Sequence, residues 1–295
     1  MRVSTNSVYL TSAQSLAAAL ERVTTQQTSV ATGKAITKWS DDAPNATSVE
    51  RYRSQEADLT SFQRSATDAQ GWLAAADGNL QSMSSLMARV KELTVAATSG
   101  ALTSTSREAI AAEVDQLRDQ MRDLGNTSHL GRSLFGGFAA TALSSNDPVT
   151  YTGDGGGVQR QVSPTITLTV NVDAKSVFGF DLGPGKDVFS QLSALSTAVR
   201  TSDNAGVAAA QTALQANHDG VLKALATVGT TTNRVDTAYA DGATALQALA
   251  TQRSSLEDVD YAYAVLQLSA AQAGYQAALG AASKANLPSL ADYLR

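Results

Sequence analysis

The chain has 295 residues, with 22 Lys+Arg against 27 Asp+Glu, a formal net charge of −5, no cysteine and 5% aromatic residues. A phosphate-tracking surface needs clustered basic residues, so nucleic acid is excluded as a partner, and disulfides, zinc–thiolate sites and thiol redox chemistry are excluded with it. No run of 18 apolar residues exists to span a membrane, and no apolar core precedes Ala17 as in a cleavable secretory signal. So few aromatics point to helical rods rather than one dense globular core.

Residues 3–31 carry a sparse helical stripe of Leu16, Leu20, Val23, Gln27 and Val30, which Gly33 ends. The connector from Lys34 to Pro44 offers Ser40, Asp41 or Asp42 as an N-cap, with Pro44 near the first turn. A helix to about Phe62 follows. A clear seam then begins: Trp72, Ala76, Leu80, Met83, Met87, Val90, Thr94 and Ala97, closed by Ser99-Gly100. Ser104 or Ser106 caps the next helix, with the seam Ile110, Val114, Leu117, Met121 and Leu124, stopped at Gly125-Asn126.

Residues 131–138 change the pattern. Val149 and Tyr151 enter a Gly-rich turn at 153–157, and Val158 to Val162 returns. Ile166, Leu168, Val170 and Val172 alternate with polar residues as in a half-buried strand. This insert, roughly 138–183, is expected to be too small for a deep core and removable without unfolding the helices. Helices resume at Lys186 with the stripe Val188, Leu192, Leu195 and Val199, then Ala210, Leu214, Val221, Leu225 and Val228.

Gly229 and three threonines lead into the stretch that organises the chain. Val235, Tyr239, Gly242, Leu246, Leu249, Arg253, Leu256, Val259, Tyr263, Leu266, Ala270, Ala273, Ala277 and Gly280 follow at steps of three or four, about six heptads without proline. One helix of roughly 70 Å is predicted, lying along partner helices. Leucine and tyrosine dominate before Leu266; alanine and glycine dominate after it. The ends are electrically complementary. Arg2, Arg22, Lys34 and Lys38 against Glu21 leave +3 over 1–40. Lys284 and Arg295 against Glu257, Asp258, Asp260 and Asp292 leave −2 over 256–295.

A search for chemistry favours structural roles. Gly33-Lys34 lacks the spacing of a phosphate loop. Asp41-Asp42 before a proline reads as a cap. Glu257, Asp258 and Asp260 read as solvated or inter-helix charge. His129 and His218 have no spaced ligand partners for a metal, and Met83 and Met87 read as core. No catalytic residue, cofactor or metal ligand is assigned, and the chain is not read as an enzyme.

Three segments resemble the flagellin family: Leu256-Glu-Asp-Val-Asp-Tyr-Ala262, Arg89-Val-Lys-Glu-Leu-Thr-Val-Ala-Ala-Thr98, and Gly33-Lys34 with Ser40-Asp41-Asp42. Within the family the likeness is closer to its hook–filament junction branch, with filament flagellin as the alternative. Four segments carry this: the start Met1 to Thr5; Gly131-Arg-Ser-Leu-Phe-Gly136; Val149 to Asp154 with the strands up to Gly179; and the ending Leu287 to Arg295. Ala291 and the extension to Arg295 depart from the usual tail.

The resemblance implies a mainly α fold, an elongated helical rod and terminal coiled coil with a small β insert domain. Its expected pieces are an N-terminal inner coiled-coil helix at 1–44, an outer rod at 45–137, the insert at 138–183, the second part of the rod at 184–255 and a C-terminal inner helix at 256–295. It further implies a structural role at the hook–filament junction and export through the flagellar type III apparatus to the extracellular flagellum. The implied partners are other copies in a ring, the first hook-associated junction protein, filament flagellin and a flagellar export chaperone. The expected assembly seam is Leu16, Leu20, Val23, Leu256, Val259, Tyr263, Leu266, Ala270, Ala273, Leu290 and Leu294. In family members sensed by the innate flagellin receptor, an Arg, a Leu and a Glu make contact; Arg89, Leu93 and Glu113 occupy the matching places.

Overall fold

The computed structural model describes residues 5–98 and 102–285. Seven helices carry most of these residues: α1 (Thr5–Thr32), α2 (Ala43–Thr98), α3 (Ser104–Gly125), the short α4 (Ala174–Val177), α5 (Val188–Thr201), α6 (Asn204–Glu257) and α7 (Tyr261–Ala285). Two small antiparallel ladders complete the fold. One pairs β1 (Ser128–His129) with β2 (Arg132–Ser133), and the other pairs β3 (Gln159–Gln161) with β4 (Thr167–Thr169). The fold class is mainly α with a small β insert, as the sequence predicts.

The chain divides into two compact units. One joins the two ends of the chain, up to Asp58 and from Ala245; the other spans Leu59–Thr244.

In the second unit a single core gathers the inward faces of the helices. The predicted α2 seam is buried at Trp72, Ala76, Leu80, Met83, Met87, Val90 and Thr94. α3 buries Val114, Leu117 and Met121, and packs against α5, which buries Val188, Leu192, Leu195 and Val199. Thr103, rather than Ser104 or Ser106, caps α3 by accepting the Ser106 N–H at 3.2 Å. Asp187 caps α5 by accepting the Ser190 N–H at 2.9 Å. The chain following α2 at Ser99-Gly100 lies outside the described residues.

The insert differs from expectation. Leu143, Val158, Val162, Leu168, Val170, Val177 and Phe178 belong to the same buried cluster as the helices. Phe178 stacks 5.2 Å from Phe189 of α5 and 6.5 Å from Phe135, centroid to centroid. Asn126, at the end of α3, accepts the Leu143 N–H at 2.9 Å and donates to the Leu143 carbonyl at 3.1 Å. Arg160 of β3 pairs with Asp68 of α2 at 2.6 Å. Two ladders this short cannot bury their own apolar face, so the insert uses the helices as its second layer. The regular strand is also shorter than the alternation suggested. Leu168 and Val170 are buried, but Ile166 is 37% exposed.

α6 runs unbroken through Gly229 and its threonines, where the sequence suggested a lead-in. A helical glycine costs about 1 kcal/mol relative to alanine. Burial of Val221, Ala224, Val228, Val235 and Ala238 stays in helical phase across that point. Thr230, Thr231 and Thr232 return their hydroxyls to carbonyls three or four residues back, so these side chains find their partners inside the helix.

Candidate functional site: the paired chain ends

In the unit formed by the chain ends, α1 packs along α7. Among the described side chains of α1, Ser12, Leu16, Ala19, Val23, Gln26 and Val30 are half-buried at heptad steps, with Ser29 beside Val30. Leu16 and Val23 of the expected seam therefore face the pair, while Leu20 lies off it, 49% exposed. α1 stops where predicted. Gly33 adopts φ +69°, donates its N–H to Ser29 O at 2.9 Å, and Ser29 Oγ donates to the Lys34 carbonyl.

The C-terminal seam holds from Gly242 to Leu256, with Gly242, Leu246, Leu249, Arg253 and Leu256 half-buried, but Tyr239 lies off it at 39% exposure, the neighbouring Ala238 being buried instead. The single helix predicted through Gly280 does not form. α6 ends at Glu257 and α7 begins at Tyr261. Beyond this break the inward residues are Ala264, Leu268, Ala271, Tyr275, Ala278 and Ala282, again at steps of three and four. Tyr263, Leu266, Ala270 and Ala273 are exposed, Tyr263 at 60% and Leu266 at 64%; the half-buried Val259 sits in the break itself. Three residues that leave the helix reset its phase, and this turns the predicted stripe outward. Leu290 and Leu294 lie outside the described residues.

The break is held by a bracket between segments far apart in sequence. Ala35 donates its N–H to the Glu257 carbonyl at 2.7 Å, and Val259 donates to the Gly33 carbonyl at 3.0 Å. Asp260 caps α7, accepting the N–H groups of Ala262 and Tyr263 at 3.0 and 3.2 Å. The Glu257 side chain, 3% exposed, accepts from Arg53 of α2 and from Arg253 at 3.2 Å, with Lys34 3.6 Å away. Arg253 also pairs with Glu56 at 3.1 Å. Asp258 accepts from Lys34 and from Ser254 Oγ, and these bonds, the lysine first, hold its carboxyl below the usual range. Glu257 and Asp258 pair with residues of other segments, as the sequence suggested, whereas Asp260 is a helix cap, and the three acids surround a break rather than share a helical turn.

The connector places its aspartates in two roles. Asp42 caps α2 through the Asn45 N–H at 3.1 Å. Asp41 accepts the backbone N–H groups of Lys38 and Thr37, which lower its pKa.

Profiles of known families match both ends of the chain. The bacterial flagellin N-terminal helical region matches residues 3–140 and the flagellin C-terminal helical region matches residues 207–294. The chain belongs to the bacterial flagellin family. Members are structural proteins of the flagellum, and this chain is placed with them. Flagellar hook-associated protein 3 of Escherichia coli (strain K12) is 24% identical over 84% of this chain and 86% of its own length. The flagellar filament 30.7 kDa core protein of Treponema maltophilum is 24% identical over 87% of this chain and 86% of its own. A solved flagellar hook-associated protein structure from Vibrio parahaemolyticus shares the fold with a TM-score of 0.69 at 20% identity, covering 74% of this chain and all of that one.

The remaining residues singled out from sequence lie in the second unit. Arg89 pairs with Glu113 at 2.7 Å and with Glu92 at 2.9 Å, while Leu93 is buried at 5% exposure. His129 meets Trp72 edge-on at 5.8 Å, and His218 Nε2 lies 3.1 Å from Ser84 Oγ. What sequence reading missed is the Glu257 cluster. Its only signal was Arg253 four residues before Glu257 in one helix and Arg53 in another.

Proposed function

We propose that this chain is a structural component of the junction between flagellar hook and filament. It is exported through the flagellar type III apparatus and assembles as a ring of its own copies between the first hook-associated junction protein and filament flagellin. The observation that carries this reading is the likeness, over 84% of the chain and so across the insert, to hook-associated protein 3 of E. coli. The motif resemblances at 131–136 and 149–179 add to it. In this reading the pieces 1–44 and 256–295 form the inner coiled coil, 45–137 and 184–255 the outer rod, and 138–183 faces outward.

The paired ends supply a physical basis. One face of α7 is spent on α1. The other carries Tyr261, Tyr263, Val265, Leu266 and Leu279, all at least 40% exposed, and α1 carries Tyr9, Leu10 and Leu20. Exposed apolar side chains in this number mark an interaction surface. We assign it to neighbouring copies in the ring and, before export, to the helical export chaperone. Leu256, Val259, Leu290 and Leu294 remain part of the proposed seam. Arg89, Leu93 and Glu113 remain the proposed contact with the innate flagellin receptor, with the Arg89–Glu113 pair as its exposed part; receptor reporter cells given pure protein test it, and silence removes it.

Filament flagellin is the second reading, favoured by the likeness to the Treponema filament core protein. Complementation separates the two. Restored swimming in cells lacking hook-associated protein 3, with none in cells lacking flagellin, supports the junction. The converse, or long filaments grown from the purified protein, supports the filament.

A further inference from the structure

Nothing in the local sequence at 257–260 demands a break. The segment Glu257-Asp258-Val259-Asp260 contains neither proline nor glycine. The helical ladder also survives on both sides of it. Asp258 still donates to the Ser254 carbonyl at 2.9 Å, and Ala264 to the Asp260 carbonyl at 2.8 Å. What has changed is the partner of two backbone groups. In an unbroken helix Val259 N–H would bond the Ser255 carbonyl, and the Glu257 carbonyl would accept from Tyr261 N–H. Here Gly33 takes the first and Ala35 the second. The connector and the helix therefore compete for the same donor and the same acceptor. A third contact, the Asp260 cap on the Ala262 and Tyr263 N–H groups, satisfies donors that the break exposes.

We propose that residues 257–260 are a two-state hinge, set by whether the connector Gly33–Ala35 is seated. With it seated the hinge is broken, as observed. With it withdrawn, α6 and α7 join into one continuous helix, and the inward stripe of α7 moves to a new phase. The two states present different faces. The broken state turns Ala264, Leu268, Ala271 and Tyr275 toward α1. The continuous state brings Tyr263, Leu266, Ala270 and Ala273 into line with Leu249, Arg253 and Leu256. The hinge thus couples the seating of the N-terminal connector to the face that the C-terminal helix offers. This holds whether the chain sits at the junction or in the filament.

The test uses backbone carbon chemical shifts of Asp258–Asp260 in the full-length protein. Ala35→Pro removes the donor to Glu257, and Asp260→Ala removes the cap of α7. Both are expected to move these shifts from coil-like to helical values, and Asp260→Ala is expected to speed amide exchange at Ala35. Ala35→Gly keeps the N–H and Asp260→Asn keeps a capping oxygen, so both are expected to retain wild-type shifts. The paired controls separate loss of a specific bond from loss of folding. Coil-like shifts throughout Asp258–Asp260 in both Ala35→Pro and Asp260→Ala, or helical shifts already present in the wild type, overturn the proposal.

Discussion

The buried carboxylate of Glu257 receives the guanidinium of Arg53, a residue that α2 supplies from the other end of the sequence. A buried acid without its cations is far less stable than a paired one; breaking such a pair costs about 3–5 kcal/mol when both partners are buried. Arg53 is half-exposed and Arg253 shares the acid, so Arg53→Ala should cost about 1–2 kcal/mol, near the lower end for a hydrogen bond to a charged group. Urea unfolding followed by limited proteolysis of the paired ends checks this. An unchanged midpoint would show that Arg253 and Lys34 suffice alone.

Acid should loosen the same region. Bonds from Lys34 and Ser254 depress the folded pKa of Asp258, so its contribution is complete above the unfolded carboxylate pKa of about 3.9 and is lost as pH falls through the lower folded value. Exchange at the Ala35 and Val259 amides should rise below about pH 4, and Lys34→Met should shrink that rise, because the folded pKa of Asp258 then lies closer to the unfolded one.

Phe178→Ala should cost about 3–5 kcal/mol, because the ring is 1% exposed and sits between Phe135 and Phe189. Replacing Asp147–Gly183 with a flexible linker removes that ring and its buried neighbours. Helical melting of the deletion should shift to lower temperature, contrary to what a detachable insert would give.

Gly125→Ala sets two effects against each other. Alanine improves helix propensity by about 1 kcal/mol in a helix interior and by less at a last residue. Its Cβ would stand 2.5 Å from Leu143 Cδ1 and 2.8 Å from Phe178 Cζ. Overpacking of this kind costs about 1–3 kcal/mol, so the variant should be less stable. Thermal melts decide the sign.

Leu266→Glu should leave the folded protein intact, since the side chain is 64% exposed, yet abolish motility in the complementation assay. Ala271→Glu, on the half-buried face of α7, should instead release α1, seen as proteolysis near its ends. Swimming cells carrying Leu266→Glu would remove that face from the assembly surface.

The sequence was legible where bulky residues recur in phase. The α2 seam from Trp72 to Thr94 and the α5 stripe are buried residue for residue, because large side chains at helical spacing leave one way to face a core. Caps were half legible: Asp42 acts as expected, while Thr103 displaced the two serines. The break at 258–260 was not legible. Its cause is a backbone pairing with residues 33–35, which no periodicity near Val259 encodes. The change of phase by one or two residues at Tyr263 and Leu266 followed from that alone. The dependence of the insert on the helices was hidden for a similar reason: alternation shows which side of a strand is buried, but not which element covers it.

The ion pair between Lys34 and Asp258 joins residues 224 apart in the chain. Closing a loop of that length costs about 5 kcal/mol of chain entropy beyond a constant term. A polypeptide emerges N-terminus first, so α1 leaves the ribosome long before its partner exists. During that interval α1 is a lone, sparsely apolar segment, and helices of this kind are marginal in water without packing. The chain ends therefore become ordered last, after α7 has been made, and until then α1 is free to be handled by other proteins.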